Sequence, residues 1–121
     1  MNFIHQGQFI GAQGEPGKLA IIGAPLDQTT SFRPGTRFAP GRVREVSENL
    51  EEYSPVLGKE LQEVHYNDLG DIMLIPGQLS RNLDEIHRTV SLVTHKGQIP
   101  LVIGGEHLIS LPIVQALREQ Y

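Results

Sequence analysis

Two short stretches hold most of the side chains that could do chemistry. One is Gly104-Gly105-Glu106-His107, which closes the apolar run Pro100-Leu101-Val102-Ile103. Two successive glycines let a backbone turn sharply and pass close to a ligand. His107 follows at a strand-to-helix turn, where a neutral imidazole can bind a divalent metal. A histidine that merely packs or caps at a helix start fits the same spacing. Glu106 can support that histidine or act as a capping carboxylate, since acidic groups suit helix N-termini. The other stretch is the polar loop from Gly23 to Pro40, with Thr29, Thr30, Phe32, Arg33, Arg37 and Phe38. Its arginines and rings could line the rim of a site. Alternatively, Arg33 and Arg37 pair with carboxylates and tie the loop down, with both Phe packed beneath it. A phosphate site built from Thr29, Thr30, Arg33 and Arg37 is a third reading. It lacks a phosphate-loop pattern, because Gly104-Gly105 has no following glycine and lysine.

The remaining histidines read as structural. His87 and His95 lie off the apolar stripe of their helix, and His5 and His65 have no partner at a ligand spacing. There is no cysteine, which excludes disulfides, thiolate metal sites and thiol nucleophiles.

The elements that position these stretches alternate. Residues 1–17, with Gly7, Gly11, Gly14, Pro16 and Gly17, form an irregular lead-in. Leu19-Ala20-Ile21-Ile22-Gly23 reads as a strand buried on both faces. Pro40 then opens a helix where its missing N–H costs nothing. Val43, Val46 and Leu50 form the apolar stripe of that helix, and Tyr53-Ser54-Pro55 ends it. Arg42, Arg44, Glu45 and Glu48 read as its solvated face, with an Arg44–Glu48 pair. Val64 to Asp68 is a second strand. A long helix follows, capped by Ser80 or Asn82, with the stripe Leu83, Ile86, Val90, Val93 and a left-handed stop at Gly97. Pro100 to Ile103 is a third strand, and Ser110 to Glu119 a last helix with Pro112 in its first turn. Strand and helix in alternation predict an α/β fold with a parallel sheet and helices on both faces. Ligands in such sheets bind at the carboxyl ends of the strands. If the first and third strands are neighbours, the polar loop and the histidine turn meet on one rim.

Composition narrows the function. The chain has 121 residues, 39% of them hydrophobic and 20% charged, the balance of a globular domain rather than a disordered tail. With 10 basic and 14 acidic residues it lacks the basic excess of a nucleic-acid binder. No apolar run is long enough for a membrane span and no signal-peptide pattern opens the chain, so the cytoplasm is expected.

Several of these stretches resemble one family. Gly104-Gly105-Glu106-His107-Leu108-Ile109-Ser110-Leu111-Pro112 is similar to the first metal motif of the ureohydrolases, the group of arginases, agmatinases and formimidoylglutamases. Ser31 to Arg44 resembles the segment after the family's first strand. Glu51-Glu52-Tyr53-Ser54-Pro55 and Asp68-Leu69-Gly70-Asp71 also match, and look most like bacterial agmatinases. The similarity runs from about Leu19 to the C-terminus. It implies a three-layer arginase-like fold and hydrolysis of a guanidino compound such as agmatine. It also implies two manganese ions, whose shared hydroxide attacks the guanidinium carbon so that urea leaves. On that resemblance His107 is a ligand of one ion, with Gly104, Gly105 and Glu106 forming its motif. Glu106 stands where many relatives have aspartate. Phe32, Arg33 and Arg37 fall on a loop beside the site, although bare arginines are poor neighbours for a cationic substrate.

The resemblance is incomplete. The family's later ligand motifs, an Asp-Ala-His-x-Asp stretch and a Ser-x-Asp-x-Asp stretch, do not occur in these residues. One neutral histidine cannot hold two divalent ions, whose usual sites need several carboxylates. Residues 1–121 are therefore expected to be the N-terminal part of an arginase-like domain, inactive alone. They would be completed by a missing C-terminal half or act within a homo-oligomer. A non-catalytic module that completes a sheet with another chain is the alternative, since strand addition across an open edge is a known binding mode.

Overall fold

The computed structural model describes residues 1–13 and 16–120. Gly14 and Glu15, inside the expected lead-in, and Tyr121 lie outside the described residues. The elements run β1 (Phe3–Ile4), β2 (Leu19–Ala24), α1 (Ala39–Ser47), β3 (Tyr53–Ser54), β4 (Lys59–Glu60), β5 (Tyr66–Ile72), α2 (Leu79–His95), β6 (Ile99–Gly104) and α3 (Ser110–Gln120). Short 3-10 turns at Thr36–Phe38 and His107–Ile109 lead into α1 and α3. Among the described residues, no helix is long and apolar enough to cross a membrane.

The sheet order is β1-β5-β2-β6, with β2 parallel to both β5 and β6. The first and third expected strands are thus neighbours, with Leu19 opposite Ile99 and Ala24 opposite Gly104. The sheet is mixed rather than purely parallel, because β1 runs antiparallel to β5, pairing Phe3 with Ile72 and Ile4 with Asp71. The lead-in is therefore not wholly irregular: its first residues cover an edge that would otherwise expose unpaired backbone groups. A small hairpin, β3 against β4, forms a second sheet.

Side chains alternate along β2 and so define two faces. Ala20, Ile22 and Ala24 join Leu26, Ile72, Ile86, Val93 and Ile109 in one buried core under α2 and α3. The opposite face carries Gly23, where an added Cβ would lie 3.0 Å from the Pro40 Cβ of α1. Helices thus lie on both faces, as expected for a three-layer α/β/α architecture.

α1 seats on this second face through residues other than the apolar stripe read from sequence. Val46 and Leu50 are more than half exposed, and the buried positions are Pro40, Arg44 and Ser47. The reason lies on β5. Asp68 and Asp71 are three residues apart, yet both face α1, because β5 has an extra residue relative to β2 between the Ile21–Asp68 and Gly23–Asp71 pairs. Gly70 sits in this irregularity with φ 89°, a conformation that suits glycine. Arg44 fills the polar space, 1% exposed, with Nε and Nη2 donating to the two Asp68 oxygens at 2.7 and 2.9 Å and Nη1 donating to Asp71. Arg44 is therefore a buried bridge, not a solvated residue paired with Glu48.

α2 matches its expected stripe, with Ile86, Val90 and Val93 buried and Gly97 in the left-handed region at φ 78°. Its N-cap is Gln78, not Ser80 or Asn82. Asn82 is instead buried within the helix. Its Oδ1 accepts from the Ile75 N–H and its Nδ2 donates to the Ile75 carbonyl, both at 2.8 Å, which fixes the loop entering α2.

Candidate metal-histidine rim

The β2 and β6 ends bring the two chemically interesting stretches together. Gly105 is where they touch. A Cβ there would fall 2.3 Å from the Leu26 carbonyl oxygen and 2.6 Å from that of Ala24, so only glycine permits this approach. The Glu106 N–H then donates to the Leu26 carbonyl at 2.8 Å. Gly104 serves packing, since a Cβ there would meet Ile109 Cδ1 at 2.0 Å.

Glu106 is buried and faces the loop rather than the helix that follows it. Its Oε2 accepts from the backbone N–H groups of Gln28 and Thr29 at 2.7 and 2.8 Å. Its Oε1 accepts from the Thr29 hydroxyl at 2.5 Å. It makes no side-chain capping bond to the 3-10 turn beginning at His107. Of the two roles open to it from sequence, capping is thus excluded. His107 follows immediately, exposed on the rim, and its ring makes no hydrogen bond among the described residues. Its imidazole nitrogens are free to meet a ligand.

Asp27 holds the outer half of the loop. Its carboxylate is almost fully buried and accepts from the Gly35 N–H at 2.7 Å, Arg37 Nη1 at 2.7 Å and the Thr30 hydroxyl at 3.3 Å. Burial alone would raise its pKa, but the donors from Gly35 and Arg37 outweigh it and hold the carboxyl below its ordinary value. Arg37 thus ties the loop down. Arg33 makes no ion pair among the described residues. Its guanidinium lies 5.2 Å from the centre of the Phe32 ring, at a backbone φ of 48° that non-glycine residues rarely adopt. The two Phe do not pack beneath the loop: Phe32 is 78% and Phe38 61% exposed. Thr29, Thr30 and Arg37 are all engaged by carboxylates, which leaves Arg33 alone of the four residues of the phosphate-binding reading without a carboxylate partner among the described residues.

Behind this loop lies an open cavity of about 610 Å³ lined by Leu26, Asp27, Arg37, Phe38, Asp71 and Leu74, among others. Its two carboxylates already have arginine partners, Asp27 in Arg37 and Asp71 in Arg44. Among the described residues, no three His, Asp or Glu side chains come together to hold a metal ion. The rim therefore offers one free imidazole and a built loop, not a complete cation cage.

Asp27 has no site role in the sequence reading, Thr29 enters it only as a phosphate donor, and Asp71 only within a family-like motif. Asp27 sits close after the β2 strand, the one signal that could have marked it. The Thr29–Glu106 bond spans 77 residues and has no local signature.

Comparisons with known proteins agree on a relationship. The model of the arginase family matches residues 17–121. The chain is 51% identical over 107 residues to the agmatinase of Bacillus anthracis, covering 88% of this chain and 37% of that one. Its fold superposes on the crystal structure of the agmatine ureohydrolase of Thermoplasma volcanium with a TM-score of 0.83 at 33% identity. That match covers 90% of this chain and 38% of the other. Proclavaminate amidino hydrolase from Streptomyces clavuligerus gives 0.82 at 28% identity, over the whole of this chain and 40% of that one. The chain spans well under half the length of the relatives it matches.

Proposed function

The chain belongs to the arginase family, and on that premise we propose that it is the N-terminal part of an agmatinase, which hydrolyses agmatine to putrescine and urea. The observation that carries this reading is the rim at the ends of β2 and β6. There an exposed His107, without a hydrogen-bond partner among the described residues, follows one residue after the glycine pair that docks the loop. The 51% identity to an agmatinase favours agmatine among guanidino substrates.

Two manganese ions would supply a nucleophilic water at neutral pH in the complete site. The residues here do not suffice for such a pair. His107 offers one nitrogen ligand, and the nearby carboxylates of Asp27, Asp71 and Glu106 are occupied by internal partners. The other ligands must come from outside residues 1–121. This chain's part is to place one imidazole, to set the loop 26–38 beside it, and to provide the sheet on which further strands assemble.

The test is urea release in the presence of Mn²⁺, with agmatine as substrate and arginine as control. We expect none from residues 1–121 alone. The complete protein should release urea from agmatine and lose that activity on His107→Ala. Urea release that survives His107→Ala would refute the ligand role.

A module that completes a sheet with another chain remains the second reading. It is favoured by β6, which among the described residues has a neighbour on one side only and exposes Ile99 and Leu101. A monomeric, folded 121-residue chain in size-exclusion chromatography would count against it.

A further inference from the structure

We infer that Glu106 is a positioning residue for the substrate-side loop, acting through Gln28 and Thr29 rather than on the neighbouring histidine. The inference rests on the proposed agmatinase reading.

The geometry separates two sets of contacts made by the same residue. The backbone of Gly105 and Glu106 fixes the turn that presents His107, through close contact with Ala24 and Leu26 and the Glu106 N–H bond to the Leu26 carbonyl. Those contacts do not need the Glu106 side chain. The carboxylate instead accepts all of its hydrogen bonds from the loop: from two backbone N–H groups and one hydroxyl, at 2.5–2.8 Å. Bonds to an ionised acceptor are short and strong, and these lie in a buried setting where they count for more. The acceptor spans the point where the loop leaves the sheet. The next residues are Thr30, held by Asp27, and then Phe32 and Arg33, which stand exposed at the rim. Without the clamp, the stretch between Leu26 and Asp27's contacts at Gly35 and Arg37 loses its inner backbone anchor and keeps the outer one, with a single exposed side-chain bond from Gln28 Nε2 to the Ile75 carbonyl at 3.2 Å. A loop held at both ends presents one conformation to a substrate, and a loop held at one end must be ordered when substrate binds.

Two measurements test this, using Glu106→Gln and Thr29→Val. The first is amide hydrogen exchange on the 121-residue chain. Glu106→Gln should deprotect the Gln28 and Thr29 amides by about tenfold or more while the β2 and β6 amides keep their protection. Thr29→Val, which removes only the hydroxyl bond, should do so to a smaller degree. The second is steady-state kinetics and Mn²⁺ affinity in the complete enzyme. Glu106→Gln should raise KM for agmatine about tenfold, with kcat within about threefold and Mn²⁺ affinity unchanged, the pattern of lost substrate positioning. Unchanged exchange at Gln28 and Thr29 would overturn the clamp. Lost protection without a rise in KM would reduce it to fold support and overturn the positioning role. A fall in Mn²⁺ affinity would show that Glu106 acts on the histidine, and overturn it as well. If the unsubstituted complete enzyme releases no urea, the agmatinase reading fails and the positioning role falls with it. The exchange data still decide whether the loop clamp exists.

Discussion

At the scale of single residues, polar groups sit where charge is normally costly. Arg44 is buried between Asp68 and Asp71, and all three rely on one another. Replacing Arg44 by Met leaves two buried carboxylates without their cation, so a loss of about 3–5 kcal/mol is expected in chemical denaturation at pH 7. The pH dependence carries a sign. Burial pushes the Asp68 pKa up, but the Arg44 guanidinium and the N–H groups of Gly70 and Phe9 prevail and hold it below the ordinary 3.8. Its stabilisation is thus fully present above that value and is lost as pH falls through the lowered folded value. In Arg44→Met the cation that helps hold Asp68 ionised is gone, and burial then favours its protonated form. The deficit of the variant should therefore narrow as pH is lowered from 7 toward 3, which equilibrium unfolding at each pH would check. Gly105 gives a second residue-scale expectation. Ala at this position would push a methyl against the backbone of residues 24–26, so Gly105→Ala should cost about 1–3 kcal/mol and lower the thermal midpoint.

At the scale of elements, α1 and α2 behave oppositely. The stripe of α2 is in the core, so Ile86→Ala should destabilise by about 2–5 kcal/mol. The apparent stripe of α1 is not, so Val46→Ser should change stability by no more than about 0.5 kcal/mol in the same assay. The contrast shows what sequence patterns can and cannot carry. α2 lies against an apolar face of the sheet, so its period of apolar residues and its Gly97 stop were legible locally. α1 lies against aspartates, and its docking residues are Pro40, Arg44 and Ser47, with the same helical period written in other chemistry. Val43, Val46 and Leu50 form the only locally visible apolar period, because the partners of Arg44 lie 24 and 27 residues away. The same aspartates disguised β5, whose buried span Tyr66–Ile72 extends beyond the expected Val64–Asp68. β1 and the β3–β4 hairpin have two residues per strand, too few for any period to register. The rim itself was readable in outline, because glycine pairs and strand ends are local features. The Glu106 clamp was not, because it joins residues 77 and 78 apart in sequence.

At the scale of the whole molecule, the chain spans well under half the length of the relatives it matches. It belongs to the arginase family and covers 37% of the length of the B. anthracis agmatinase. In the sheet β1 covers the edge of β5, while among the described residues β6 has a neighbour on one side only, and apolar side chains on β6 and α1 are exposed. Those surfaces suit further strands and helices that would also bring the carboxylates a metal pair needs. The most direct measurement is urea release from agmatine with Mn²⁺, made side by side on residues 1–121, on the complete protein, and on the complete protein carrying His107→Ala. Urea is expected from the complete protein only, from agmatine and not from arginine. Urea from residues 1–121 alone, or undiminished urea from the His107→Ala protein, would contradict this.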